Sequence, residues 1–270
     1  VRHGRGDAVQ AERAHWTELA TVPAGRTPAD DAVPAGEVTV GDAATVTASL
    51  DAAATAELLR LPDALGCGLP AVLLAALGRT LASWTGHDRH VVDLVRHDRV
   101  RLFDEVDLSR TVGPFGHVHP VALDVAADGP ADAAVRAVAA HLRGVPGDGV
   151  GWELLRQDAD PVPDAPVDLA FALVDGPPRP ALDGDESPRN LRRRALEVEV
   201  RVVDDELLVR WTYGRARHHE ATVTRVAERY AAELRALAEL ASGPAGAPAA
   251  SDFPLAHVDQ DQLDALLSRL

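Results

Sequence analysis

Asp104-Glu105-Val106-Asp107-Leu108-Ser109-Arg110-Thr111-Val112-Gly113-Pro114-Phe115-Gly116-His117-Val118-His119-Pro120 runs from an acidic loop, through a short Arg-Thr-Val-Gly turn, into an apolar strand that continues to Val125. His90-Val91-Val92-Asp93-Leu94-Val95, upstream of it, is a second run of strand length, expected to be buried on both faces. Residues 70–84 precede that run and form the most apolar helix of the chain, with Pro70 in its first turn. Helix and strand signals keep alternating on either side, which defines an α/β class with a mixed sheet.

Working outward, residues 8–20 read as one helix with Val9, Trp16 and Leu19 near one face and Asp7 as its N-cap. Residues 21–44 read as a long surface loop rich in Pro, Gly, Ala and Asp. Residues 45–50 alternate as a strand, and Asp51 caps a helix through Leu61. An amphipathic helix follows at 130–144, a short one at 152–157 and a core strand at 167–174. Residues 175–190 form a Pro/Asp/Gly loop. Two alternating strands, 191–203 and 206–213, are joined by Asp204-Asp205, a hairpin signal. A long helix spans 220–240, residues 242–250 are a linker, and a short helix closes the chain at 259–270.

Composition narrows the chemistry. The 270 residues are enough for a sizeable core, and 46% hydrophobic content fits a globular fold. The net charge of −15 (27 − 42) argues against nucleic acid and against anionic membrane surfaces as partners, because both reward basic patches. No apolar run approaches the roughly 18 residues that span a bilayer. One cysteine, Cys67, permits no intramolecular disulfide and no cysteine-rich zinc site; it fits a reducing, cytoplasmic setting. Every basic side chain is arginine, so Schiff-base chemistry and a P-loop lysine are excluded within these residues.

Six segments, in order, resemble the later motifs of the condensation and epimerisation domains of nonribosomal peptide synthetases. Ala71–Gly78 is similar to the family's Leu-Leu-x-Ala-x-Gly helix, and residues 91–99 lie where epimerases carry Glu-Gly-His-Gly-Arg-Glu. Arg110–Pro120 resembles Arg-Thr-Val-Gly-Trp-Phe-Thr-x-x-Tyr-Pro. Val145–Trp152 resembles a Pro-x-x-Gly-x-Gly-Tyr loop, Ala170–Val174 a Phe-Asn-Tyr-Leu-Gly strand, and Ser251–Leu255 an inter-domain linker. The resemblance implies one lobe of the chloramphenicol-acetyltransferase type over residues 1–241, with 242–270 as linker and terminal helix. In the family, two lobes form a V, and the phosphopantetheine arm of a peptidyl carrier protein enters between them. No cofactor is expected to bind directly.

The family's catalytic His-His-x-x-x-Asp-Gly motif belongs to the other lobe, and no such run occurs in these 270 residues. His218-His219 lacks the Asp-Gly and reads as a solvated helix entry. The resemblance assigns Arg99, Asp107, Arg110, Thr111, Val112 and Gly113 to the motif framework, with Arg110 paired to Asp104, Glu105 or Asp107. The tunnel positions are altered. Val95 stands where epimerases place a proton-carrying glutamate, Pro114 replaces Trp, Gly116 replaces Thr, His119 replaces Tyr, and Leu173 stands at a Tyr position. His97 remains as a lone base or a structural strand-end histidine. His117 and His119 share a strand face, a conceivable metal pair lacking a ligand-spacing motif, so no metal is expected. Ser109 fits a turn or cap. Arg192-Arg193-Arg194 reads as a solvated strand edge that discourages edge pairing, or as an anion patch. These departures predict a non-catalytic module that docks carrier protein, adjacent synthetase domains or a tailoring enzyme acting in trans. The alternative is half of an active site, completed by an N-terminal lobe.

Overall fold

In a computed structural model of the chain, the described residues are 6–32, 38–97, 107, 110–113, 115–174 and 187–241. Six strands make one sheet in the order β1-β6-β5-β4-β2-β3. They are β1 (Ala43–Leu50), β2 (Arg89–Arg96), β3 (His117–Asp124), β4 (Leu169–Leu173), β5 (Leu196–Val203) and β6 (Glu206–Gly214). β2, β4 and β5 pair in parallel at the centre; β6, β1 and β3 add antiparallel strands outside them. The β5–β6 hairpin turns on Asp204 and Asp205, at φ 50° and 66°. Two successive left-handed residues give the turn whose twist matches that of paired strands.

The helices are α1 (Asp7–Ala11), α2 (Arg13–Thr21), α3 (Ala52–Leu65), α4 (Leu69–Thr85), α5 (Ala131–Arg143), α6 (Val150–Arg156) and α7 (Glu220–Ala241). α3, α4, α5 and α7 cover one face of the sheet. Their apolar stripes meet Val92, Leu94, Phe171, Val198, Val209 and Trp211 in a continuous core. Tyr230 of α7 is fully buried there, donates its hydroxyl to the Leu73 carbonyl (3.2 Å), and meets Trp211 edge-on. The Arg79–Glu233 pair (2.7 Å) ties α4 to α7 inside the layer. Among the described residues no single helix is long and apolar enough to cross a membrane; α3 and α4 are bent 108° to one another.

Asp51 accepts from the Ala54 N–H (2.9 Å) and caps α3, as the sequence predicts. Asp51→Ala is expected to cost about 1 kcal/mol, measurable by urea denaturation.

The structure corrects four expectations. Residues 8–20 form two helices, because the Glu12 N–H bonds the Val9 carbonyl three residues back (3.1 Å) and shifts the register. Asp7 lies inside the first turn, with Gly6 as N-cap. Arg192–Arg194 do not sit at a sheet edge, since β5 lies between β4 and β6. His218 is buried rather than solvated; residues 22–32 of the expected surface loop are hydrogen-bonded to Arg89 and Arg217 on that side. Residues 242–270, with the expected linker and terminal helix, lie outside the described residues.

Candidate functional site

The face of the sheet opposite the core is partly open. Side chains alternate along each strand, so the residues between the core positions point to this face. They include Asp93 and Val95 on β2, Ala170 and Ala172 on β4, Glu197 and Glu199 on β5, and Arg210 and Thr212 on β6. α6 supplies one wall with Trp152, Glu153 and Arg156; Arg193 and Arg194 supply another. The resulting cleft has a volume of about 600 Å³.

Its wall is held by a second, smaller core. Val9, Trp16 and Leu19 from α1 and α2 pack on Trp152, Leu155 and Val162, with the Trp16 and Trp152 rings 5.6 Å apart. The Trp16 indole N–H donates to Glu12 (3.0 Å), and Arg13 pairs with Asp158 (2.9 Å). The turn entering α6, Pro146–Gly149, needs its glycines. Gly149 has φ 86°, and a Cβ there would overlap the His119 ring. At Gly151 a Cβ would overlap the Glu12 carboxylate.

Several charges of the cleft are paired. Asp93 sits within an apolar strand, and its side chain is 7% exposed. Arg194 donates to a single oxygen, Oδ2, from Nε (2.6 Å) and Nη2 (2.5 Å). Burial pushes the Asp93 carboxyl up from its ordinary value, against the pull of Arg194. Glu199 behaves oppositely: the hydrogen bond from Arg201 (2.7 Å) holds it below the ordinary value, with Arg210 (3.7 Å) and His97 adding positive charge. Arg192 is buried and bonds Glu197 (3.0 Å) and the Thr212 carbonyl. Arg156 lies over the Trp152 ring and pairs with Asp164.

The predicted site residues divide between places. Val95 lines the cleft. His97 is exposed just beyond β2. His119 is buried at the β3 side of the cleft wall, stacked on His117 (5.5 Å) and edge-on to Trp16 (6.2 Å). His117 bonds the Asp148 carbonyl (2.8 Å). Gly116 passes close to the Arg96 carbonyl. Leu173 packs against the core on the other face, while its neighbour Ala172 faces the cleft. Asp107, Arg110, Thr111, Val112 and Gly113 are exposed; Arg99, Asp104, Glu105, Ser109 and Pro114 lie outside the described residues. Among the described residues no three His, Cys, Asp or Glu side chains are placed to hold a metal ion. Sequence reasoning missed the pairing of Asp93 with Arg194. The available signal was the acid itself, a lone charge within an apolar strand, which needs a partner when buried.

A six-stranded mixed sheet with helices on one face and an open, charged cleft on the other defines a lobe of the chloramphenicol-acetyltransferase type. The chain belongs to the condensation-domain family, whose model matches residues 3–250. A linear gramicidin synthase polypeptide of Brevibacillus parabrevis is 32% identical over 290 residues, covering 99% of this chain and 4% of that protein. Chondramide synthase of Chondromyces crocatus is 33% identical over 279 residues, covering 97% of this chain and 7% of that protein. The epimerization domain from the third module of tyrocidine synthetase B superposes with TM-score 0.79 at 24% identity, covering 89% of this chain and 57% of that one. The X-domain in its complex with OxyB from teicoplanin biosynthesis superposes with TM-score 0.65 at 20% identity, covering 88% and 54%. The chain thus spans a small fraction of these synthetases and under two thirds of these solved domains.

Proposed function

We propose that this lobe is a non-catalytic module of a peptide synthetase that docks a carrier protein and its phosphopantetheine arm, adjacent synthetase domains, or a tailoring enzyme. The observation that carries this reading is Val95 on the cleft floor. Epimerases of the family place a glutamate at this position, and a valine neither takes nor gives a proton. Two carboxylates of the cleft floor are committed to arginines: Asp93 to Arg194, and Glu199 to Arg201 and Arg210. Glu199 is moreover held in its ionised, weakly basic form. The likeness in fold to an X-domain that was captured with OxyB supports a docking role.

The alternative, half of an active condensation or epimerisation site, is favoured by the open cleft and the likeness to an epimerization domain. One experiment separates the two readings. The 270-residue chain is titrated with a peptidyl-loaded carrier protein, and the bound thioester is recovered for chiral and mass analysis. Saturable binding without racemisation or a new peptide bond is expected. Turnover above background overturns the non-catalytic reading, and absence of binding to carrier or neighbouring domains overturns the docking one.

A further inference from the structure

Residues 22–32 cross one end of the sheet between α2 and β1 and are tied down at three places. The Gly25 N–H donates to the Arg89 carbonyl at the start of β2 (2.7 Å). The Asp168 carboxylate, just before β4, accepts from the Arg26 guanidinium (2.5 Å) and the Thr27 N–H (3.1 Å). The Asp30 N–H donates to the Arg217 carbonyl (3.0 Å), and its carboxylate accepts from the His219 N–H (2.8 Å) and the Thr222 hydroxyl (2.9 Å). Two imidazoles lie in the region this strap covers, His90 at 2% exposure and His218 at 1%. Gly25 sits so close that a Cβ there would come within 2.8 Å of His90 Nε2. That nitrogen meets the Thr85 hydroxyl (2.8 Å). His90 Nδ1 has no hydrogen-bond partner among the described residues, and neither ring nitrogen of His218 has one; the His218 ring faces Trp84.

We propose that residues 22–32 form an acid-sensitive strap, which protonation of His90 and His218 releases from the sheet, loosening the α1–α2 wall of the cleft. A charged imidazole here would carry buried N–H groups without an acceptor, so the charge favours the released strap. The groups facing His218 pull in both directions. Asp30 and Asp168 favour its charge, Arg217 opposes it, and Arg26 is already paired to Asp168. Burial outweighs them and lowers its pKa. His90 faces His87 and Asp88, of opposite effect, while the neighbouring Arg89 is paired with Asp124 (3.4 Å); burial lowers His90 to about 4. His219 contacts Asp31 (3.0 Å), but both side chains are more than half exposed, so solvent weakens this pair. With folded pKa values below the released ones, the closed strap is fully stable above about pH 6.5 and weakens as pH falls toward 4. The strap leads directly from α2, whose Trp16 and Arg13 hold α6 through Trp152 and Asp158, so its release reaches the cleft wall.

Hydrogen exchange on the whole chain at about pH 7.5 and about pH 5, corrected for intrinsic rates, tests this. A histidine moving from about 4 to its ordinary 6.5 raises the open-to-closed ratio on the order of 30-fold at the lower pH. Peptides covering residues 22–32 and α6 are expected to show that rise while β5 and β6 stay protected. The double variant His90→Leu/His218→Leu is expected to remove it. Should that variant not fold, imidazole titration by NMR in the unmodified chain replaces it: both rings must titrate below their ordinary value, together with the strap signals. A pH-independent strap, equal deprotection of every strand, or a rise that survives in the folded double variant overturns the proposal. A strap that opens without α6 overturns the coupling to the cleft.

Discussion

Arg194→Ala is expected to destabilise the lobe by about 3 kcal/mol near pH 7.5, the largest loss from any single cleft arginine. Arg194 places two donors on one oxygen of Asp93, whose side chain is 7% exposed. Removing the guanidinium leaves a carboxylate on an apolar strand with its main counter-charge gone. The pH dependence gives the mechanism away. Asp93 is raised by burial even in the intact pair, so the folded state takes up a proton there more readily than the unfolded chain does. Stability then rises as pH falls through the folded value. In the variant the folded value moves higher still, so the deficit measured by urea denaturation should shrink between about pH 7.5 and about pH 5, where a neutral carboxyl needs no partner. Arg193→Ala, next in the chain but exposed, is the control, with an expected change within about 0.5 kcal/mol. Equal losses for the two variants, or a deficit that ignores pH, would remove the buried pair from the account of what holds the cleft floor.

The Asp93–Arg194 pair also marks the limit of what could be read from the chain. Local signals transfer well. The largely apolar run at residues 90–95 announces a strand buried on both faces, and β2 is buried from His90 to Leu94. Asp51 caps where a cap is expected, Asp204-Asp205 turns where a hairpin is expected, and the alternation of His117 and His119 puts both rings on one side of β3. Strand order is another matter. Arg192–Arg194 sit at a strand start that resembles an edge, yet β4 arrives from earlier in the chain to pair with β5 and closes that side. The burial of His218 depends on residues about 190 positions upstream, beyond the reach of any local pattern. The cleft is partly legible: Val95, which the resemblance places at a working position of the family motif, lines the cleft, whereas Leu173 belongs to the core face, because strand alternation sends Ala172 to the cleft instead.

Gly149→Ala is expected to cost about 3 kcal/mol, lowering Tm by roughly 6–12 °C, from two separate causes. The backbone at φ 86° lies where an L side chain is strained, which accounts for about 1 kcal/mol. The remainder, about 2 kcal/mol, comes from driving a methyl group into the His119 ring, which is 1% exposed and wedged between His117 and Trp16, so it has nowhere to retreat. Gly144→Ala separates these causes from a general glycine effect. Gly144 closes α5 in the right-handed region, at φ −81° and ψ −7°, and its added Cβ would meet the His141 carbonyl at an ordinary 3.4 Å. That substitution should leave stability unchanged or raise it by about 0.5 kcal/mol, because it only stiffens the unfolded chain. Only Gly149→Ala therefore lowers Tm if the turn before α6 is built around His119. Gly149→Ala should also disturb Trp152, one turn into α6, while the β5–β6 hairpin keeps its amide protection. A loss spread evenly over the sheet would mean that the cleft wall and the main core are a single cooperative unit. A loss confined to α1, α2 and α6 would make the wall a separately stable element, able to change the shape of the cleft without unfolding the lobe.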